Sequence, residues 1–457
     1  MMSDLLYYIL SGVLVLLVLL GILMLSRVKT AKYGNLISAS SVIAAIVITL
    51  IKFEIYDKWL LYVLMFIGAL IGIIIAYRIK MIKMPQLIAS LNGIGGFSSL
   101  IVGVFALYEI GIDNTYFSKA AGSLAVVIGT ITFIGSLIAF LKLGGYVNQK
   151  PTKVKLYKLI VPVVIITLIG LVIASYFISI IWLIVLLLIP ISGLFAVIFT
   201  ISIGGADMPI TISLLNSFSG LAVAISGLAI SDLLLVSYGG IVGASGLILT
   251  NIMCHAMNKR LIDIILGRTT TDDFVRDVEV KVSNDSASKE NPVDILMRSK
   301  DIIIVPGYGM AISQAQSLVK NLANYIKSNG GRVRFAIHPI AGRMPGHMNV
   351  LLAEVDVDYD DLYDIDQINN DFKMCDLVIV IGANDVINPA AKTNEGTPIY
   401  GMPILNVYES RQVFVFNYDL KPGYSGVNNS LYEREEGIYF FLGDAKEKLT
   451  EFISKLI

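Results

Sequence analysis

The stretch "DIIIVPGYGMAISQAQ", residues 301–316, carries chemistry in its backbone rather than in a reactive side chain. Gly307 and Gly309 let the chain turn so tightly that amide or carbonyl groups can face a ligand. Two uses of such a turn compete. The carbonyl oxygens of a "VPGYG" run could replace the water around a cation, as in a channel filter. Amides at the start of the following helix could instead hold a pyrophosphate, as in the G-x-G turn after the first strand of a dinucleotide fold. A filter must sit at membrane depth, shielded between helices. Here the run follows the charged stretch "GRTTTDDFVRDVEVKVSNDSASKENP", residues 267–292, remote from any apolar span. The phosphate reading fits better, with Ile302 to Val305 as a buried parallel strand and Gly307 and Gly309 as the turn. Met310 to Lys327 would be the helix. The third position of G-x-G-x-x-G holds Ile312, so this pattern alone also suits an ordinary glycine turn.

Asp385 ends another apolar run, "DLVIVIGAND". A carboxylate at a strand end is costly unless paired or used. It either works in a ligand crevice or caps the start of "VINPAA". Asp207, in "GGADMP", either caps a helix or passes the state of a soluble part to the membrane. Asn92, Asn216 and Ser245 fall at a similar depth, roughly 10 Å from the inner ends of their spans at about 1.5 Å per residue. They could line a hydrated path or tie neighbouring helices together. His255 reads as interfacial and solvated, and His338 and His347 lack ligating company. Cys254 and Cys375 read as free thiols, and no Cys/His cluster supports zinc.

These residues need two kinds of scaffold. The chain has 457 residues, 56% of them hydrophobic and 15% charged, with a mean hydropathy of +0.76. Soluble domains carry about 25% charged residues, so much of this chain belongs in lipid. Lys plus Arg equals Asp plus Glu, at 35 each, which leaves no basic excess for nucleic acid. Nine stretches have the length to cross a bilayer as helix: 5–25, 33–51, 59–77, 86–107, 121–142, 157–176, 178–200, 210–231 and 233–253. The first lacks a basic cluster ahead of it and is longer than a signal-peptide core, so it reads as a retained span.

Basic residues follow spans one, three and five: Arg27, Lys29 and Lys32, then Arg78, Lys80 and Lys83, then Lys142, Lys150, Lys153 and Lys155. Glu54, Asp57, Glu109 and Asp113 follow spans two and four. Positive charge marks the cytoplasmic side. The N-terminus is therefore expected outside and the part after the ninth span inside. The expected organisation is a polytopic helical membrane domain over 1–260, a linker over 261–293 and a cytoplasmic α/β, Rossmann-like, doubly wound domain over 294–457. Further strands are expected in "RVRFAIHP" (332–339), "DLVIVIGAND" (376–385), "QVFVFN" (412–417) and "IYFFLGD" (438–444). Ligands of such sheets bind at the carboxyl ends of the strands.

Several longer motifs carry a specific resemblance. "GGADMP" (204–209), "LLNSFSG" (214–220), "PGYGMAISQAQ" (306–316), "IHPIAGRMPGHMNVLLAE" (337–354) and "VIGANDVINPAA" (380–391) together resemble the β subunit of the proton-translocating NAD(P) transhydrogenases. The similarity runs in order from "MPQLIASLNGIGG" to "FLGDAK". It implies NADP(H) on this chain and NAD(H) on an α-type partner subunit. It also implies direct hydride transfer between the two nicotinamides, and a proton crossing toward the cytoplasm as NADPH forms. A homodimer of αβ units in the bacterial inner membrane is part of the same expectation. Along the dinucleotide the resemblance places Gly307, Tyr308, Gly309, Met310 and Ala311, with Arg343 and Gly346 in a loop over the cofactor. Gly382, Ala383, Asn384 and Asp385 fall near the nicotinamide, the last two as the catalytic candidates. Asn92, Asn216, Ser245 and Asp207 are the candidates for the proton path.

Two departures matter. Asn92 stands where some family members carry histidine, and asparagine cannot titrate. In the family the loop after the "QVFVF" strand reads Lys-Arg-Ser and holds the adenosine 2′-phosphate. Here Asn417, Tyr418 and Asp419 occupy it, followed by Lys421, Gly423 and Tyr424. A carboxylate there suits a ribose 2′-hydroxyl, as in NAD sites, and repels a phosphate. Lys421, or Arg334 on the second strand, could supply a replacement cation. The alternatives are altered NAD(H) specificity, a dinucleotide-gated transporter or channel, and an empty Rossmann domain on a structural subunit. Neither a filter loop nor matched half-repeats supports the transporter reading, and the glycines with an intact "GAND" oppose the empty one.

Overall fold

The computed structural model describes residues 2–25, 28–80, 83–108, 116–148, 152, 157–178, 180–204, 207–265, 290–342, 346–423 and 425–456. The chain forms two compact units. One comprises Met1–Val147, Lys153–Ile201 and Thr211–Leu249; the other comprises Asn148–Thr152, Ser202–Ile210 and Thr250–Ile457.

Among the described residues, nine helices are long and apolar enough to cross a membrane. They are α1 (Asp4–Leu25), α2 (Val28–Lys52), α3 (Trp59–Arg78), α4 (Met84–Leu107), α5 (Tyr116–Leu143), α6 (Tyr157–Phe177), α7 (Ile181–Ser202), α8 (Met208–Ala229) and α9 (Leu233–Ala256). Helix is the open-ended form that satisfies every backbone polar group without water. The sixth and seventh helices, α6 and α7, are divided between Phe177 and Ile181. Lipid tails are as apolar as leucine, so the helices hold together by close approach at small residues. A Cβ on Gly103 would lie 2.7 Å from the Gly122 carbonyl, where α4 meets α5. One on Gly220 would lie 2.3 Å from the Gly243 nitrogen, where α8 meets α9. Ser217 Oγ adds a hydrogen bond to Gly243 O at 2.7 Å.

After α9 the second unit continues with α10 (Leu261–Ile265) and α11 (Pro292–Arg298). Then follow β1 (Asp301–Pro306), α12 (Tyr308–Ser313), α13 (Gln316–Ser328), β2 (Arg332–Ile337), α14 (His347–Glu354), β3 (Leu362–Asp364), α15 (Ile365–Ile368) and β4 (Leu377–Ile381). The chain closes with α16 (Ala390–Thr393), β5 (Val413–Asn417), β6 (Ile438–Leu442) and α17 (Ala445–Ile453). The strands form one sheet in the order β3-β2-β1-β4-β5-β6. Every pairing is parallel. This is the doubly wound architecture expected. Its central strands are unbroken apolar runs because both faces are covered: Ile302 to Val305, Leu377 to Ile381 and Val413 to Phe416 are fully buried. The strand order reverses between β1 and β4, where such sheets open a crevice.

Three details differ from expectation. β3 is a three-residue edge strand with no apolar run to announce it. The helix expected over 310–327 is two helices, broken where Gln314 takes the left-handed conformation, φ 53° and ψ 43°. Arg334 is no free cation: its buried guanidinium bridges Asp301 and Asp371.

Candidate functional site: the crevice between β1 and β4

The crevice is sewn by three glycines. Gly307 follows β1 and Gly382 follows β4. The Gly307 amide donates to Ile381 O at 2.8 Å, Gly309 N to Gly382 O at 2.9 Å, and Gly382 N to Phe416 O at 2.8 Å. A Cβ on Gly307 would fall 2.3 Å from Gly382 O; one on Gly382, at φ +67°, would fall 2.3 Å from Gly309 Cα. Only bare backbone fits here. The glycines thus press the two turns together, and the amides of Gly307, Gly309 and Met310 donate within this region. Met310 and Ala311 pack inward. The Tyr308 ring lies 6.3 Å from that of His347. Gly346 takes a left-handed φ of +67° ahead of α14. Arg343 and Tyr424 lie outside the described residues.

The turn after β4 is held by Asn417, Lys421, Ser425, Asn429 and Tyr432. Ser425 Oγ donates to Asp385 Oδ1 at 2.6 Å, and the Ser425 amide donates to Oδ2 at 3.1 Å. A Cβ on Gly423 would come within 2.7 Å of both carboxylate oxygens. Asn384 gives no side-chain cap to the turn it begins. Its amide instead donates to Lys421 O at 2.8 Å, and its Oδ1 accepts from Asn429 Nδ2 at 3.0 Å. Asn417 is buried at the end of β5 and points inward. Its Nδ2 donates to Ala383 O at 2.9 Å and to Tyr432 Oη at 2.8 Å. Burial, and next the Asp385 carboxylate, push the Tyr432 phenol above its ordinary value, so it stays a donor.

Tyr418, Asp419 and Lys421 remain on the surface of this loop. Tyr418 is 80% exposed. Asp419 Oδ1 accepts the Lys421 amide at 3.1 Å, closing a local turn. No hydrogen bond or ion pair engages the Lys421 ammonium among the described residues, which leaves it available to an anion. This donor set suits a dinucleotide, with one cation for phosphate and carboxylate and amide groups for ribose hydroxyls.

His338 ends β2 and is buried. Its Nε2 lies 2.7 Å from Pro403 O, and its Nδ1 accepts the Ile340 amide at 3.3 Å. The proton therefore sits on Nε2. Burial lowers its pKa to about 4, against the opposing pull of the Pro403 carbonyl. No group of three or more His, Cys, Asp or Glu side chains could hold a metal among the described residues. Sequence reasoning missed Ser425, Asn429 and Tyr432. The Ser and Asn residues of "GYSGVNN" were the available signal, being frequent turn-formers that bond backbone groups.

In the membrane unit, Asn92 is buried and its Nδ2 donates to Ile212 O at 3.3 Å. Ile212 is one turn before Asn216 on α8, so Asn92 and Asn216 come near each other. Asn216 is half-buried. Ser245 stands on an exposed face of α9, and its hydroxyl returns to Val242 O of its own helix at 3.0 Å. In the other unit, Asp207 is buried immediately before α8 and ion-paired with Lys259.

The family model described as NAD(P) transhydrogenase beta subunit matches residues 6–455. Two curated relatives, both named NAD(P) transhydrogenase subunit beta and both from Rhodospirillum rubrum, are each 39% identical over 464 residues. The alignments span 98% of this chain and 97% of each relative.

Proposed function

Because the chain belongs to the NAD(P) transhydrogenase beta subunit family, we propose that it holds NADP(H) in the β1–β4 crevice and exchanges hydride with NAD(H) on an α-type partner. The observation that carries this reading is the three-glycine seam at the switch point, with Asp385 clamped by Ser425 beside it. A bound nicotinamide supplies the hydride chemistry. The chain's own work is to bind, orient and exclude water. The contacts of Asn384 and Asp385 with Lys421, Ser425 and Asn429 hold the loop after β5 to the turn after β4. Gly307 to Ala311 and Gly346, with Arg343, would line the dinucleotide. Gly382 to Asp385 would lie at its reactive end.

Proton coupling is part of the same proposal. Asn92 and Asn216, with Ser245 and Asp207, would organise the path. Asn92 can order water there but cannot carry charge. The soluble part would face the cytoplasm of a bacterial inner membrane, with αβ units paired as a dimer.

A second reading, preference for NAD(H), is favoured by one observation. Asn417 points inward, and the exposed part of the loop presents Asp419 with Lys421 as its one unengaged cation among the described residues. A 2′-phosphate dianion would meet fewer cations here than its charge calls for.

The test uses the purified chain in nanodiscs with NADPH and an NAD analogue, with and without an α-type subunit. Only one strand–GxG–helix unit is present among the described residues, so hydride transfer is expected only with the partner. Robust transfer by the chain alone, or none with the partner, overturns the assignment.

A further inference from the structure

Helix α9 ends in a left-handed cap. The Asn258 amide donates to His255 O at 3.0 Å and the Lys259 amide to Cys254 O at 2.9 Å, with Asn258 at φ 50°. This is the paired hydrogen-bond closure of a helix C-terminus, and asparagine is one of the few non-glycine residues that tolerate its left-handed position. The backbone need is met by glycine equally well, so it does not explain the side chain. That side chain reaches across 142 residues of sequence: Asn258 Nδ2 donates to Tyr400 O at 2.8 Å. Gly401 makes room for it, since a Cβ there would fall 2.2 Å from Asn258 Nδ2. The next residue, Lys259, is ion-paired with Asp207 at the start of α8.

Tyr400 belongs to the long excursion between β4 and β5, which is built as a solid piece. Gly401 N donates to Ala391 O at 2.7 Å, and Leu405 N donates to Val386 O at 2.9 Å, one residue from Asp385. His338 holds Pro403 O, and Asn369 Nδ2 holds Ile404 O at 2.9 Å. Ala390, Ala391, Ile399, Met402 and Ile404 form their own small core. A shift of the turn bearing Asp385 therefore carries Tyr400 with it, because packed pieces move as bodies and do not deform smoothly.

We infer that Asn258 is a positioning residue that latches this excursion to the ends of α8 and α9, so that the state of the dinucleotide crevice is felt at the Asp207–Lys259 pair. The inference rests on the transhydrogenase reading for its consequence, but not for its geometry. The test uses the full chain in nanodiscs carrying Asn258→Gly, which keeps the left-handed cap and removes the amide. Asn258→Asp serves as a second, nearly isosteric variant that cannot donate. Without any dinucleotide, hydrogen exchange at Tyr400, Gly401 and Met402 should quicken about fivefold in Asn258→Gly, the equivalent of one lost hydrogen bond. Strands β1 and β4 should be unchanged. Reconstituted with an α-type subunit, both variants should move fewer protons per hydride while NADPH binding to the chain stays as in the unmodified protein. Unchanged exchange at these amides in both variants overturns the latch, as does an unchanged proton-to-hydride ratio. An unmodified chain that neither binds dinucleotide nor transfers hydride overturns the transhydrogenase reading instead, and the exchange experiment still judges the latch.

Discussion

At the end of β5, three neighbouring residues take three different roles. Asn417 turns inward to bind Ala383 O and Tyr432, Tyr418 faces solvent, and Asp419 closes a turn on the Lys421 amide. Any reading of a 2′-phosphate at this loop thus falls to positions 418, 419 and 421. Tyr418→Arg with Asp419→Ser restores a cation, removes the repelling carboxylate and keeps a turn-closing hydroxyl. A charge-assisted phosphate contact is worth roughly 1.5–3 kcal/mol. NADPH should therefore tighten about tenfold or more, with NADH nearly unchanged, by calorimetry on the purified chain. An unmoved NADPH dissociation constant would place the 2′-phosphate elsewhere. His338 makes a separate prediction. Its folded pKa, about 4, lies below the ordinary 6.5, so the unfolded chain takes up the proton first as pH falls. The group's contribution is fully present above about pH 6.5 and is lost from there down toward 4, at most about 3 kcal/mol. Scanning calorimetry should show the melting temperature falling across that window. His338→Gln, which keeps the donor to Pro403 O, should flatten the fall; an equal slope in the variant would show that other groups carry it.

Among the elements, five of the six strands were legible because the central runs are apolar and burial on both faces demands that, whereas the short edge strand β3 carries no such run. The phosphate-turn pattern was legible too, but its packing was not: Gly307 and Gly309 press against Gly382, a glycine distant in sequence. The break at Gln314 was not legible, since glutamine is an ordinary helix former. Gly382→Ala tests the seam. It places a Cβ 2.3 Å from Gly309 Cα at a φ of +67°. Strain of this kind costs about 1–3 kcal/mol, so both the melting temperature and dinucleotide affinity should fall. Full affinity in a stable variant would show that the two turns can part without harm to the site.

For the whole molecule, Asn216→Leu separates path from packing. Asn92 is tied to the backbone of α8 one turn away, and α8 meets α9 at Gly220 and Ser217, so leucine at 216 leaves those contacts intact. Proton-coupled turnover in vesicles should drop while NADPH binding persists. Undiminished pumping would make Asn216 a packing residue. The amino-acid sequence by itself determined the nine apolar helices found among the described residues and the parallel sheet, because runs of apolar residues and their lengths answer directly to lipid and to a two-faced core. It also carried the family, through motifs long enough to be specific. Tertiary structure alone decided which polar groups are occupied. Arg334 is spent on Asp301 and Asp371, Asn417 on Ala383 and Tyr432, Asp385 on Ser425, and Asn258 on Tyr400. A polar side chain at one position can serve several partners, and the choice depends on which distant backbone the fold brings within about 3 Å.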